Sequence, residues 1–271
     1  MRIVALWLII CQTALCGFEQ KQMGCRHVAL GSSSVALADE VWAITYNPAG
    51  LTQLSAEQIS FFYSPQPYGF SELSLKAVAA AMSTRLGVVG TSLYSYGFEL
   101  YREISGTLSY AIPVSRVSVG LNLTYNSVSI QNYGSSGTFG IDMGFYLPIF
   151  SGFTSGVFFR NLNAPTIGAA GEKLPQSFDI GCAYSPMSTM HLTVDYQKEI
   201  GHNAVARFGI EYWIVDWVAL RGGMSEEPAQ STGGFGVSYS FFQFDYAAAY
   251  HQELGWTHQA SITIRWGGDH E

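Results

Sequence analysis

From about residue 53 onward, apolar residues alternate with small or polar ones at a period of two, and clusters of Gly, Pro, Asn and Ser interrupt the alternation. Val117, Val119, Leu121, Leu123 and Tyr125 enclose Ser118, Gly120, Asn122 and Thr124. Phe242, Phe244, Tyr246, Ala248 and Tyr250 enclose Gln243, Asp245 and Ala247, and Ala260, Ile262, Ile264 and Trp266 enclose Ser261, Thr263 and Arg265. This period sends the two sets to opposite faces of a strand. Followed along the chain, it predicts about fourteen strands of roughly nine to eleven residues each, the length that crosses a bilayer as a tilted strand. Their centres fall near Ser60, Lys76, Thr91, Thr107, Leu121, Asp142, Val157, Ile180, Val194, Gly209, Leu220, Gly236, Asp245 and Ile262.

The connections sharpen this expectation. Tight ones are expected at 83–85, 113–116, 148–152, 185–189, 215–217 and 240–241. Longer polar ones are expected at 64–71, 96–101, 127–137, 160–176, 197–203, 225–231 and 251–257. Short and long therefore alternate, as they do in an antiparallel barrel with short turns on one side of a membrane and longer loops on the other. A sandwich with Greek-key crossings has no such rule. The predicted fold class is all-β, a transmembrane antiparallel β-barrel of about fourteen strands, with an even count returning both ends to one side. For a bacterial outer membrane that side is the periplasm.

Composition agrees with lipid on the outside. Hydrophobic residues make up 48% of the 271 and charged ones only 12%, about half the share usual in soluble domains. Past the first residues no apolar run is long enough for a spanning helix. With 29 Gly, 16 Tyr and 17 Phe the chain suits sheets with aromatic borders. The face opposite the apolar one is mostly Gly, Ser, Thr and Ala, as a crowded lumen would be. Its charges are Glu103, Asp142, Asp179, Asp195, Arg207, Glu211, Arg221, Asp245 and Arg265. Both signs occur on neighbouring strands, which favours an internal neutralising network over solute selection. A net charge of −7 argues against nucleic acid as a partner.

The amino terminus has the form of an export signal. Met1-Arg2 is positive, Ile3 to Ala14 is apolar, and Ala14-Leu15-Cys16 precedes Gly17 as a cleavage site. Residues 1–16 are thus expected to be removed, and acylation at Cys16 is disfavoured by the bulky Leu15. Cleavage leaves Cys25 and Cys182, too few for a disulfide framework or a metal site.

Residues 17–52 do not alternate. A short helix is expected within Val35 to Ile44, and Asn47-Pro48 is a helix start, with Asn as cap and Pro at the first position. Apolar residues such as Leu37 and Trp42 favour burial, and a segment feeding into a barrel finds burial inside the lumen. The domain plan is therefore signal 1–16, hatch or plug 17–52, barrel 53–266 and a polar tail 267–271.

The stretch GCRHVALGSSSVALADEVWAITYNPAGL resembles the amino-terminal hatch of FadL-type and PorV/PorQ-type outer-membrane proteins, with its Gly-rich lead, its ALADE step containing Asp39, and YNPAGL, which is Tyr46, Asn47, Pro48, Ala49, Gly50 and Leu51. The segments RNLNAP…LPQSFDIGCAYSP, FGIEYWIVDWVALRGG and FQFDYAAAYHQELGWTHQASITIRW are similar to later strands of the PorV/PorQ group. The resemblance implies a fourteen-stranded barrel with the hatch inside.

No enzyme motif is present, and the six His are scattered. Catalysis is not expected, and no metal, nucleotide or organic cofactor is implied. Two functions remain open, besides a structural barrel without transport. One is a plugged conduit for a small hydrophobic or amphipathic molecule. The other, implied by the resemblance, is an accessory of type IX secretion that docks exported proteins on the loops at 160–176 and 251–257. The expected partners are outer-membrane lipid and either that small molecule or a secreted protein.

Overall fold

The computed structural model describes residue 18 and residues 20–267. The expected export signal and the tail beyond Gly267 lie outside the described residues. Seven strands form the first half: β1 (Glu57–Ser64), β2 (Leu75–Thr84), β3 (Gly87–Gly97), β4 (Tyr101–Val114), β5 (Val117–Ile130), β6 (Gly134–Phe150) and β7 (Phe153–Arg160). A loop follows, holding a two-stranded hairpin of β8 (Thr166–Ile167) and β9 (Glu172–Lys173). The second half is β10 (Ser177–Met187), β11 (Met190–Glu199), β12 (Ala204–Val215), β13 (Val218–Ser225), β14 (Gln230–Tyr239), β15 (Phe242–His251) and β16 (Gly255–Trp266).

Each strand pairs antiparallel with its sequence neighbour, β7 pairs with β10, and β1 pairs with both β2 and β16. The ring closes at Glu57↔Trp266, so all fourteen wall strands have two partners and no edge is left open. The observed fold is thus a closed fourteen-stranded transmembrane β-barrel, and each expected strand centre falls inside an observed strand.

Alternation carries the apolar rows outward. In β1, Phe61 and Tyr63 are exposed while Gln58, Ser60, Phe62 and Ser64 are buried. In β5, Leu121, Leu123 and Tyr125 are exposed, whereas Ser118, Asn122 and Asn126 are buried. Leu108 on β4 is 64% exposed, which no water-soluble sheet repeats on strand after strand. Such an exterior is stable against hydrocarbon, because the backbone groups between those side chains are all paired within the ring.

Six connections are two residues long, at 85–86, 115–116, 151–152, 188–189, 216–217 and 240–241. The opposite end carries 65–74, 98–100, 131–133, 161–176, 200–203, 226–229 and 252–254. The two ends are called here the turn end and the loop end.

Three expectations need correcting. Residues 127–137 are not a long loop: β5 and β6 continue through Ser127↔Gly137 and Ser129↔Ser135 to a three-residue turn, making strands of 14 and 17 residues. Their Ser, Asn and Gly content marks strand extending past the apolar band into a polar surround, where ladder hydrogen bonds persist without lipid-facing side chains. For the same reason the connection expected at 251–257 shrinks to 252–254.

The stretch Val35 to Ile44 is also not a helix. Short helices form at α1 (Cys25–Ala29) and α2 (Ala43–Tyr46), followed by a 3-10 helix at Pro48–Gln53. Between α1 and α2 the backbone turns, because the N–H groups of Ser34 and Val35 are taken by a wall carboxylate rather than by carbonyls four residues back.

Candidate functional site

Residues 23–51, apart from exposed Asp39, are buried against inward-facing side chains of the ring. Trp42, Ile44, Tyr46 and Leu51 share a buried apolar cluster with Phe62, Leu75, Ala77, Ala79, Val88, Ala111 and Ala247 of the wall. Inward alanines on β2, β4 and β15 belong to the same cluster, and the Trp42 indole N–H donates to Ser60 Oγ over 2.9 Å. Phe18 sits towards the loop end beside Ile167 and Leu174, and Thr52 meets Ser118 near the turn end.

The inward glycines explain how backbone fits against backbone. A Cβ added at Gly120 would lie 2.2 Å from Ala49 N, at Gly144 2.1 Å from Asn47 Oδ1, and at Gly156 2.2 Å from Val35 O. At Gly223 it would lie 2.2 Å from Gly31 N, and at Gly234 2.8 Å from Ala29 Cβ. On five strands, β5, β6, β7, β13 and β14, an inward glycine therefore stands where the segment comes closest to the wall backbone.

The YNPAGL motif fastens the segment to itself and to the wall. Tyr46 Oη donates to Met23 O (2.9 Å) and accepts from Met23 N (3.1 Å). Asn47 Oδ1 caps the 3-10 helix by accepting from Ala49 N at 3.2 Å, and its amide donates to Val35 O (2.8 Å) and Phe145 O (2.9 Å). Pro48 starts that helix, Ala49 and Leu51 are buried, and a Cβ on Gly50 would strike Ala38.

Eight of the nine lumen charges named from the sequence are buried, and Arg265 is partly so. They fall into separate groups. Arg26 donates from Nε and Nη2 to the two oxygens of Glu211, both at 2.8 Å, and from Nη1 to Asp39. Arg221 joins Glu211 to Asp245 with two bonds of 2.6 Å, Gln243 donates to Asp245, and Arg265 donates to Gln243. One chain of polar contacts thus runs from exposed Asp39 through Arg26 across β12, β13, β15 and β16.

Elsewhere, Glu103 takes Phe18 N, Tyr101 Oη and, at 3.5 Å, Lys21. Asp142 accepts from Asn161 N and Asn122 Nδ2. Asp195 accepts from Ser34 N at 2.6 Å and Val35 N at 2.9 Å. Arg207 donates to Gln197, which donates in turn to Gln20. Asp179 accepts from Ser177 Oγ, and its other oxygen, Oδ1, is buried.

Sequence reasoning missed the cations and acids on the segment itself. Arg26, His27 and Glu40 sit in an apolar-looking stretch, and only the partners opposite them give them a role. His27 Nε2 lies 2.9 Å from Glu40 Oε1, and its ring centroid is 4.5 Å from that of Tyr46. Burial works against the charge on Glu40, yet His27 and Arg26 outweigh it and hold the carboxyl down at about 2. Cys25 and Cys182 are free thiols.

Ser185 Oγ and His191 Nδ1 are 2.6 Å apart, and His191 Nε2 is 4.0 Å from Glu211 Oε1. Glu211 is engaged by two guanidinium groups and is too distant to hydrogen-bond the imidazole, so the three do not form a charge-relay triad.

These features define a transmembrane β-barrel with residues 23–51 packed against its inward-facing side chains. Solved structures share this fold: the Pseudomonas putida toluene transporter TodX, at 11% identity and a TM-score of 0.66, over 92% of this chain and 99% of that one. A Pseudomonas aeruginosa FadL homologue matches at 9% identity and 0.65, over 92% and 99%. The Acinetobacter baumannii outer-membrane protein Omp33 matches at 6% and 0.51, over 78% and 98%. No protein-family model matches the chain, and no curated protein matches it in sequence.

Proposed function

We propose that this protein is a plugged conduit of the bacterial outer membrane, passing a small molecule when its amino-terminal segment shifts. The observation that carries the reading is the seating of residues 29–49 on inward glycines and wall carboxylates, which fills the lumen with a part that is not continuous with the wall ladder. A fixed structural core needs no such arrangement, since wall side chains could fill the space directly. The barrel's first and last strands both have their free ends at the turn end, which this reading places in the periplasm. Solved structures of the same fold are described as a toluene transporter and a FadL homologue, which favours a hydrophobic or amphipathic solute.

The secretion-accessory reading rests on the sequence patterns shared with the PorV/PorQ group. It needs free loops, and the longest, 161–176, is exposed at 162–164, 166 and 168–173. Ile167 and Leu174 turn inward onto Phe18, and only 252–254 lies outside strands in the last connection. The conduit is the reading that the seating of the segment on the wall favours.

Liposome swelling tests it. Vesicles carrying Arg26→Met should admit small solutes faster than vesicles carrying the native protein. Equal, negligible entry for both, with the segment of the variant shown to be protease-accessible, would reject the conduit and leave a structural barrel.

A further inference from the structure

We propose that a patch on the outer wall at the loop end, formed by Tyr63, Lys76, Tyr246, Trp256 and His258, binds the phosphate of an anionic membrane lipid. The patch faces away from the lumen, so its ligand comes from the surrounding bilayer.

Depth along β16 sets the kind of ligand. Its outward positions run Trp256, His258, Ala260, Ile262, Ile264 and Trp266, and both indoles are exposed. At a rise of about 3.3 Å per residue and a tilt of about 40°, Trp256 and Trp266 stand roughly 25 Å apart along the membrane normal. That is the height of the apolar band, so the two indoles mark its borders. His258 lies about 5 Å inside the loop-end border, where headgroup meets acyl chain.

Two donors meet at that level. The His258 ring is stacked between Tyr246 and Trp256, with both centroid distances 6.1 Å. Its Nδ1 lies 2.6 Å from Tyr246 Oη. With Tyr246 as the donor, Nε2 carries the ring hydrogen and has no partner among the described residues. Lys76 is exposed on β2, with its ammonium 5.8 Å from the centroid of the Tyr63 ring. Tyr63 pairs with Lys76 on one side and with Ala260 on the other. Lys76 is therefore two strands and two rungs from His258, which puts their Cα atoms about 12 Å apart. Both side chains reach a group seated between them, above Tyr63 and the small Ala260.

Hydrocarbon satisfies neither an ammonium nor an imidazole N–H, whereas a phosphate oxygen accepts from both. The acids of the adjoining loops, Glu72 and Glu253, are exposed, and no carboxylate forms a salt bridge with Lys76 or His258 among the described residues. A net charge of −7 gives anionic lipid no general attraction to the chain, so selection falls to this local pair.

Native mass spectrometry of the full-length protein tests the site, with dioleoyl phosphatidic acid and dioleoylglycerol added in equal amounts to the detergent micelles. The two lipids share tails and ester carbonyls and differ in the phosphate. Phosphatidic acid should be retained at least tenfold more than dioleoylglycerol. Lys76→Gln should lower its retention roughly fivefold, the weight of one cation at a membrane surface. His258→Phe should lower it by a similar factor, through the lost hydrogen bond. Arg102→Gln, which removes an exposed loop-end cation of β4, should leave it unchanged. Equal retention of the two lipids overturns the inference. So does retention that either Lys76→Gln or His258→Phe leaves unaltered, or that Arg102→Gln lowers as much as they do.

Discussion

Arg26 and Glu211, 185 positions apart in sequence, meet as a two-point ion pair with both N–H···O distances at 2.8 Å. Arg26 belongs to the amino-terminal segment and Glu211 to β12, so this pair is a direct tie between the contents of the lumen and its wall. Such a pair is expensive to break on one side only, because the remaining buried charge loses its compensation.

Replacing Arg26 by Met should therefore weaken seating of the segment by about 3 kcal/mol, with Arg221 still holding Glu211 in the wall. Barrel assembly should be unaffected. Replacing Glu211 by Gln as well should recover part of the loss. Hydrogen exchange of residues 25–51 measures the effect, and protection unchanged from the native protein would show that the tie contributes nothing.

Gly120→Leu should unseat the segment by steric exclusion. Its first side-chain carbon would sit 2.2 Å from the Ala49 backbone nitrogen, where no rotamer change relieves it. Gly106→Ala, whose Cβ would find only Leu93 Cδ1 at 3.8 Å, should change stability by less than about 0.5 kcal/mol. Limited proteolysis after membrane extraction distinguishes the two. Cleavage between residues 24 and 51 is expected in the Gly120 variant alone.

Asn47→Ala removes a cap and two amide donations, to Val35 O and Phe145 O. About 2 kcal/mol of local stability should go with them. Asn47→Asp should be worse, since a carboxylate would face two carbonyl oxygens. If thermal unfolding monitored at Trp42 ranks Asp above Ala, the hydrogen-bond assignment is wrong.

Acid should loosen the segment through Glu40. Its pKa is lowered in place from 4.5 to about 2, so its charged form is favoured by His27 and Arg26, with Arg221 of β13 adding to the attraction. The contribution is complete above about pH 4.5 and is lost as the pH falls through about 2. Glu40→Gln should show less acid-induced rise in proteolysis than the native protein over that window. An identical rise in both would assign the acid response to other carboxylates.

Much of the wall was legible in the sequence because a lipid-facing strand imposes a rule on every second residue. Val117 to Tyr125 obeys it with no exception, and the two-residue turns punctuate it. The rule stops at the lipid boundary, which is why Ser127 to Gly137 reads as loop while its backbone stays in the ladder. The lumen is less legible. Tyr46 to Leu51 announces a capped turn, but the partners of Asn47 include a carbonyl 98 residues away. Arg26 and Glu40 carry no local signal, since their meaning lies in Glu211 and His27. Gly120 and Gly156 read only as small residues on the inner face, although each marks where a second backbone lies against the wall.

Everything proposed depends on the barrel being membrane-embedded and closed by its own amino-terminal segment. Single-channel recording in planar bilayers tests that most directly, comparing the native chain, Gly106→Ala and Gly120→Leu. The native protein and the Gly106 variant should insert with little or no steady conductance, and the Gly120 variant should show a stable open level. A native channel already as open as the Gly120 variant, or a Gly120 variant that stays silent with its segment protease-accessible, would contradict the account.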